Sequence, residues 1–127
     1  MMYELRIQKN KAMPSAGQYV ARVVHNGVVD TEAVAQEIQD NCSLKRADVL
    51  AVLSELENVL CRHLQNGEIV QLSHLGRLKL EIKGRPVSTP QLFNPHEHIL
   101  GVALHLIPES RHHVQPLYHD ITFVRRR

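Results

Sequence analysis

The sequence has few of the features that mark enzymes, secreted proteins and membrane proteins. Its 127 residues include no tryptophan, two cysteines and only 4% aromatic residues. No apolar run approaches the roughly 20 residues of a membrane-spanning helix, and the N-terminus lacks the charged-then-apolar layout of a signal peptide. We therefore expect a single cytoplasmic domain over residues 1–127, with a modest core and no membrane contact.

Signals for catalysis and metal binding are equally sparse. No segment has the spacing of a Gly-rich phosphate loop, a zinc-protease helix or a nucleophile elbow. The densest histidine groups are His96 with His98 and the pair His112-His113, but neither cysteine is near them in sequence. A structural zinc site normally has four Cys or His ligands at recognisable spacing. We expect no enzymatic activity, no cofactor, no bound metal and no small-molecule substrate.

The two cysteines are expected to stay reduced. If Cys42 ends a first helix and Cys61 lies near the end of a second, about 25 Å of helix separates them at 1.5 Å per residue. A disulfide needs Cα atoms within about 7 Å of each other. Buried thiols in a cytosolic protein are the natural interpretation.

Charge is nearly balanced overall but not along the chain. The net charge is +2, from 15 Lys and Arg against 13 Asp and Glu. Residues 1–67 carry a balance of −1, and residues 68–127 carry +3 together with seven of the nine histidines. An excess of this size fits either a nucleic-acid-binding surface or ordinary surface chemistry.

Apolar periodicity predicts a mixed α+β fold. Period-two alternation and turn residues predict strands, and apolar positions three and four apart predict helices. Gly67 supplies the stop signal of the second helix. The predicted strands are residues 3–7, 18–24, 69–72, 77–83, 99–107 and 120–124, with 99–107 in the centre of its sheet. The first predicted helix is capped by Asp30 or Thr31 and ends where residues 41–44 break the pattern. The second covers residues 45–66, and a short helical turn is predicted at 108–114.

The strand at 77–83 has two chemically different faces. Side chains alternate across a strand, so its charged and apolar residues separate completely. The charged face consists of Arg77, Lys79, Glu81 and Lys83. The apolar face consists of Leu78, Leu80 and Ile82. This charged row can meet phosphates, or it can be a solvated outer face whose charge Glu81 dilutes.

The order of these elements resembles the bacterial HU and integration-host-factor family of DNA-binding proteins. The resemblance rests on residues 31–83, above all residues 66–72 and the Gly76 corner at residues 75–80. It implies a helical hairpin plus an antiparallel β-sheet, an intertwined homodimer, and largely sequence-independent binding of double-stranded DNA. The layout also resembles a divergent HU-like subgroup that adds an N-terminal strand pair (residues 1–28) and ends in a short C-terminal strand.

Two departures weaken the resemblance. The family's long β-arm has an Arg-Asn-Pro tip whose proline wedges between base pairs. The matching stretch here, residues 84–95, has prolines but no such tip, so Pro86 and Pro90 are better interpreted as loop residues than as intercalating ones. The second departure is Lys45, which replaces the helix-capping Ser or Thr at a cost of about 1 kcal/mol, partly offset by Asp48.

The resemblance and the charge pattern together select the candidate DNA contacts. They lie on the strand face, at the start of the second helix and at the C-terminus, where the arginines are either a phosphate-binding tail or a solubilising end. These residues are Arg77, Lys79, Lys83, Arg85, Lys45, Arg46, Arg125, Arg126 and Arg127. The alternative function is a protein-interaction or assembly module that keeps the HU scaffold as a dimer without DNA binding. A nucleoid-associated DNA binder is the function we expect.

Overall fold

The computed structural model describes residues 1–108 and 120–127, so most of the predicted helical turn at 108–114 lies outside the described residues. The described residues form six strands, two long helices and one short helix. In chain order these are β1 (Met2–Ile7), β2 (Tyr19–Val23), α1 (Thr31–Asn41), α2 (Arg46–Gln65), β3 (Val70–Leu72), β4 (Gly76–Gly84), α3 (Pro95–His98), β5 (Ile99–Ile107) and β6 (Val124–Arg125). No helix among the described residues is both long and apolar enough to cross a membrane.

Contacts along the chain gather into two compact units. The N-terminal unit comprises Met1–Asp30 and Tyr118–Arg127, and the helical unit comprises Thr31–Leu117. The assignment of residues 1–127 to one domain therefore stays a prediction. The N-terminal unit therefore contains residues from both ends of the chain.

The N-terminal unit is built on a three-stranded sheet in the order β2-β1-β6. Strands β1 and β2 pair antiparallel, and β6 pairs parallel to β1 through Met2 and Val124. The predicted strand at 120–124 is wrong in extent, because only Val124–Arg125 is extended. Asp120 has a φ of 57°, which a strand residue does not adopt.

The helical unit places α1 and α2 beside a second three-stranded sheet in the order β3-β4-β5. Helix α2 packs against α1, β3 and β4. All strand pairs in this sheet are antiparallel, which confirms the α+β class with a helical hairpin and an antiparallel sheet. The prediction that residues 99–107 form a central strand is wrong: β4 is central, and β5 lies at the edge.

The side chains buried within the described residues are few. Three apolar residues form the buried core: Ala35, Val49 and Leu64. Both cysteines are free, as expected, but both are exposed, so the prediction of buried thiols is wrong.

One glycine, Gly67, ends helix α2. Gly67 has a φ of 82°, and its N–H donates to the Leu64 carbonyl at 3.0 Å while the Glu68 N–H donates to the His63 carbonyl at 3.1 Å. These two bonds form a Schellman motif, which satisfies the last carbonyls of the helix. The predicted stop at Gly67 is confirmed.

Substituting Gly67 tests this cap. Nothing lies within 4 Å of where a Cβ would be, so Gly67→Ala meets no steric obstacle and only the left-handed backbone opposes it. We expect a loss of about 1 kcal/mol in the free energy of unfolding. Urea denaturation followed by circular dichroism at a fixed chain concentration measures it. A variant as stable as the parent would contradict the assignment.

The stretch between β4 and β5 is a compact loop instead of an extended β-arm. Its base is closed where the Arg85 N–H donates to the His98 carbonyl at 2.8 Å. A short 3-10 turn, Pro90–Leu92, and helix α3 fill the loop. The proline-bearing segment therefore has no extended ribbon that would reach around a duplex.

Candidate nucleic-acid interface

The charged row on β4 has the arrangement that alternation predicts. Arg77, Lys79 and Lys83 share one face, and their partners across the ladder on β5 are Ile107, His105 and Gly101. From Arg77 to Lys83 the row extends about 20 Å at 3.3 Å per residue. A duplex presents on the order of ten phosphates over that length of axis. The row is long enough to contact several of them.

Glu81 divides the row electrostatically. Its carboxylate lies 2.9 Å from Lys79 Nζ and 3.1 Å from His105 Nε2. The hydrogen bond from Lys79 lowers the pKa of Glu81 below its ordinary value. Desolvation opposes this effect, and the charges of His105 and Lys79 add to the lowering. Glu81 therefore stays ionised at neutral pH and offsets the charge of Lys79.

Neutralising Glu81 should strengthen binding to a polyanion. Glu81→Gln removes the negative charge from the row and releases Lys79, while keeping the size and hydrogen-bonding capacity of the side chain. We expect about threefold tighter binding to a DNA duplex near 0.1 M salt, with a smaller gain at higher salt because exposed charges are screened. Fluorescence anisotropy on a labelled duplex measures it; unchanged or weaker binding would place the duplex away from this face.

Arg77 and Lys83 are the unneutralised cations of the row. Both are exposed, and within residues 1–108 and 120–127 neither has a carboxylate within ion-pair distance. Arg85 follows at the base of the loop, where its backbone is fixed by His98. Arg77 at the start of β4, with Lys83 and Arg85 at its other end, supplies the available positive charge of the row, instead of Lys79.

The start of α2 places its two basic residues differently. Lys45 is the N-cap residue, and its side chain makes no capping hydrogen bond, as expected. Arg46 contacts the Glu32 carboxylate and donates to Gln36 Oε1 at 2.8 Å, so it links α2 to α1. Of this pair, Lys45 has the freer charge, and Arg46 has a structural contact in addition to any contact with DNA.

The C-terminal arginines are attached to the N-terminal sheet. The Arg126 N–H donates to the Tyr3 carbonyl at 2.7 Å, and its guanidinium lies 3.7 Å from Glu4 Oε2. Arg125 is paired with Tyr3 in the parallel ladder. Arg127 follows as the last residue, so two of the three arginines have positions fixed by β1.

The histidines of the loop have local structural contacts. The Asn94 N–H donates to His98 Nδ1 at 2.8 Å, and the His98 ring stacks on Phe93 with centroids 5.5 Å apart. His96 and His98 both lie in α3, where positions two apart do not share a face. No group of three His, Cys, Asp or Glu side chains suited to a metal ion occurs among the residues that are described.

The sequence did not assign His105 to the charged row. It interrupts the apolar run of residues 99–107, and in the structure it is exposed and contacts Glu81. Its place follows from the register of β4 and β5, which pairs Lys79 with His105. The register shift between Lys83 and Gly84 hides this pairing from the sequence, because an unbroken alignment from Gly84 and Ile99 would place Leu104 opposite Lys79.

Comparison with known proteins gives a consistent result. Residues 1–114 match the model of the HU-HIG family, described as an HU domain fused to a winged helix-turn-helix, Ig or glycine-rich motif. A crystal structure of a Bacteroides vulgatus protein, provisionally assigned as a bacterial DNA-binding protein, superposes with a TM-score of 0.59 at 16% identity. The match covers 84% of this chain and 41% of that protein, so the chain spans about two fifths of its length. A search of curated proteins found no match.

Proposed function

The chain belongs to the HU-HIG family, and on that premise we propose that it binds double-stranded DNA as a homodimer, through phosphates and without strong sequence preference. The observation that carries the proposal is the row on β4, with Arg77 and Lys83 exposed and without carboxylate partners among the described residues. Backbone-directed cations give affinity without base readout. An architectural role in the bacterial nucleoid, and hence a cytoplasmic location, follows from this proposal.

The apolar side of the same sheet supports the dimer. Across the ladder Leu80 faces Leu104 and Ile82 faces Val102, on the side opposite the charged row. Leu104, Ile82 and Val102 are 59%, 66% and 58% exposed. Side chains of this kind contribute about 1.5–3 kcal/mol each when buried, so a second copy that covers them would supply much of the missing core.

The edge position of β5 supports the same conclusion. A nine-residue apolar strand at a sheet edge exposes unpaired backbone groups as well as side chains, which invites association. On α2, Val52 is 62% exposed as well. A homodimer in which the helices of one copy cover the sheet of the other would bury both surfaces and leave the β4 row accessible.

A second candidate function is an assembly module that keeps the dimer and does not bind DNA. The compact loop of residues 85–98 favours it, because this loop replaces the extended arm with which HU proteins wrap DNA. This candidate predicts a dimer with no measurable affinity for a duplex.

A salt series of duplex binding separates the two. The proposal predicts that the affinity for a labelled duplex falls linearly on a double-logarithmic plot as salt rises, and that two unrelated sequences bind within a few-fold of each other. A random-sequence competitor should therefore displace the labelled duplex at equal concentration. No binding even at low salt would establish the second candidate instead.

A further inference from the structure

The positive charge of this chain is concentrated outside the helical unit. Residues 1–30 and 118–127 hold seven Lys and Arg against three Asp and Glu, a net charge of +4. Residues 31–117 hold eight against ten, a net charge of −2. The overall +2 conceals this separation. The attraction of the chain to a polyanion therefore comes mainly from its N-terminal unit.

Three cations of the N-terminal unit, Arg6, Arg22 and Arg126, share the polar face of its sheet. Glu4 lies directly across the ladder from Arg22, and Arg6 is two residues along β1 on the same side. Arg126 is on this side too, since Glu4 contacts its guanidinium at 3.7 Å and also contacts Arg6. The Glu4 side chain is only 24% exposed. One partly covered carboxylate thus positions two exposed guanidiniums.

A cleft of about 480 Å³ opens on this face. Arg6, Lys9 and Arg22 contribute its cationic lining, together with Gln8. Lys9 and Arg22 are exposed, and neither has a carboxylate partner in the described portion of the chain. Arg6 is paired with Glu4, so Lys9 and Arg22 are the cations of the cleft whose charge remains available, and such exposed cations match the chemistry of phosphate oxygens.

The opposite face of the same sheet has a different character. Its residues Tyr3, Leu5 and Ile7 alternate with the charged residues of β1, and Tyr19 and Val23 face them from β2. Charges that merely aid solubility would be interspersed over both faces. The charged residues of β1 and β2 lie on one side only, and Arg125 of β6, which pairs with Tyr3, is on the other side. The grouping of Arg6, Arg22 and Arg126 on one side indicates a surface that a polyanion contacts.

We infer that the polar face of the N-terminal sheet, with Arg22 and Lys9 at its cleft, is a second phosphate-binding surface for the backbone of double-stranded DNA. The inference rests on the proposed function and deepens it, because it assigns a large share of the phosphate contacts to the N-terminal unit. Charge complementarity selects the occupant: a net charge of +4 on some forty residues suits a repeating polyanion. The ion cluster around Glu4 keeps Arg6 and Arg126 in place at its margin.

The test compares double variants of the full chain in duplex binding over a salt series. Lys9→Gln with Arg22→Gln removes the two cations of the cleft that have no ion-pair partner. Lys11→Gln with Arg62→Gln is the matched control, because it removes the same charge from exposed residues that do not line the cleft. We expect the cleft variant to lower the slope of log affinity against log salt by about 1.8 per chain, at about 0.9 per lost contact. The control should keep the slope of the parent.

Each outcome bears on a separate part of the account. An unchanged slope in the cleft variant, with a lowered slope in Arg77→Gln/Lys83→Gln, would overturn this inference and leave the proposed function intact. If the cleft variant lost binding to phosphatidylserine vesicles while its binding to DNA stayed unchanged, the inference would also be overturned. If the parent chain bound no duplex, both the inference and the proposed function would be contradicted. Circular dichroism melting confirms that each variant is folded, so a lowered slope in the cleft variant alone supports the inference.

Discussion

Replacing Gly76 with alanine is expected to unfold the helical unit or leave it barely stable. A Cβ at this position would lie 2.3 Å from the Ile107 carbonyl oxygen and 3.0 Å from the Pro108 Cα. Both are backbone atoms, so no side-chain rotation relieves the overlap. The residue is also buried, with a φ of 137°, a conformation that strains any L side chain.

The expected cost of Gly76→Ala is more than about 3 kcal/mol, because a steric clash is added to a strained backbone. That is a large part of the 5–15 kcal/mol by which domains are stable. Urea denaturation followed by circular dichroism measures it, since the chain has no tryptophan. Gly67→Ala is the matched control. Gly67 also has a positive φ, but no atom lies near its Cβ position, so this variant measures the cost of the backbone conformation without a steric clash. A Gly76→Ala variant within 1 kcal/mol of the parent would contradict the close approach at this corner.

Removing Arg77 and Lys83 together is expected to have the largest effect on DNA binding within the helical unit. Both residues are exposed on the β4 row, and Glu81 offsets neither of them directly. Arg77→Gln with Lys83→Gln should lower the salt slope by about 1.8 per chain and the affinity at 0.1 M salt at least tenfold. The same anisotropy titration measures both quantities.

Lys79→Gln tests whether the ion pair with Glu81 keeps Lys79 from contributing to DNA binding. Lys79 lies between Arg77 and Lys83, but Glu81 Oε1 is 2.9 Å from its ammonium group. Its loss should therefore change the slope by less than half of the amount that either neighbour contributes. An effect equal to that of Arg77 or Lys83 would show that Glu81 does not hold Lys79 when DNA is bound.

The sequence predicted the elements of the helical unit well, because each has a local signal. Period-two alternation placed Arg77, Lys79 and Lys83 on one face, and Gly67 marked the end of α2. The position of β5 was wrong for a physical reason. A continuous apolar run such as residues 99–107 indicates that other residues must pack against both faces and the edge of the strand. It does not indicate whether those residues come from the same chain or from a second copy.

The charge distribution could not be predicted from halves of the sequence. The excess of +3 in residues 68–127 includes Arg125, Arg126 and Arg127, which belong to the N-terminal unit, where β6 pairs with β1. A parallel contact between the two ends of a chain leaves no periodic signal. Arg22 and Lys9 were missed for the same reason, since their importance appears only when the cations of both ends are counted on one sheet.

The measurement that tests the account most directly is dual-wavelength sedimentation of the chain with a short dye-labelled duplex, at low and high salt. A homodimer that binds phosphates should place two chains on each duplex at low salt. At high salt we expect free DNA and a protein species of twice the 14.5 kDa chain mass. A single chain on the duplex, a monomer at high salt, or a complex that salt does not dissociate would contradict a homodimer that binds DNA through its phosphates.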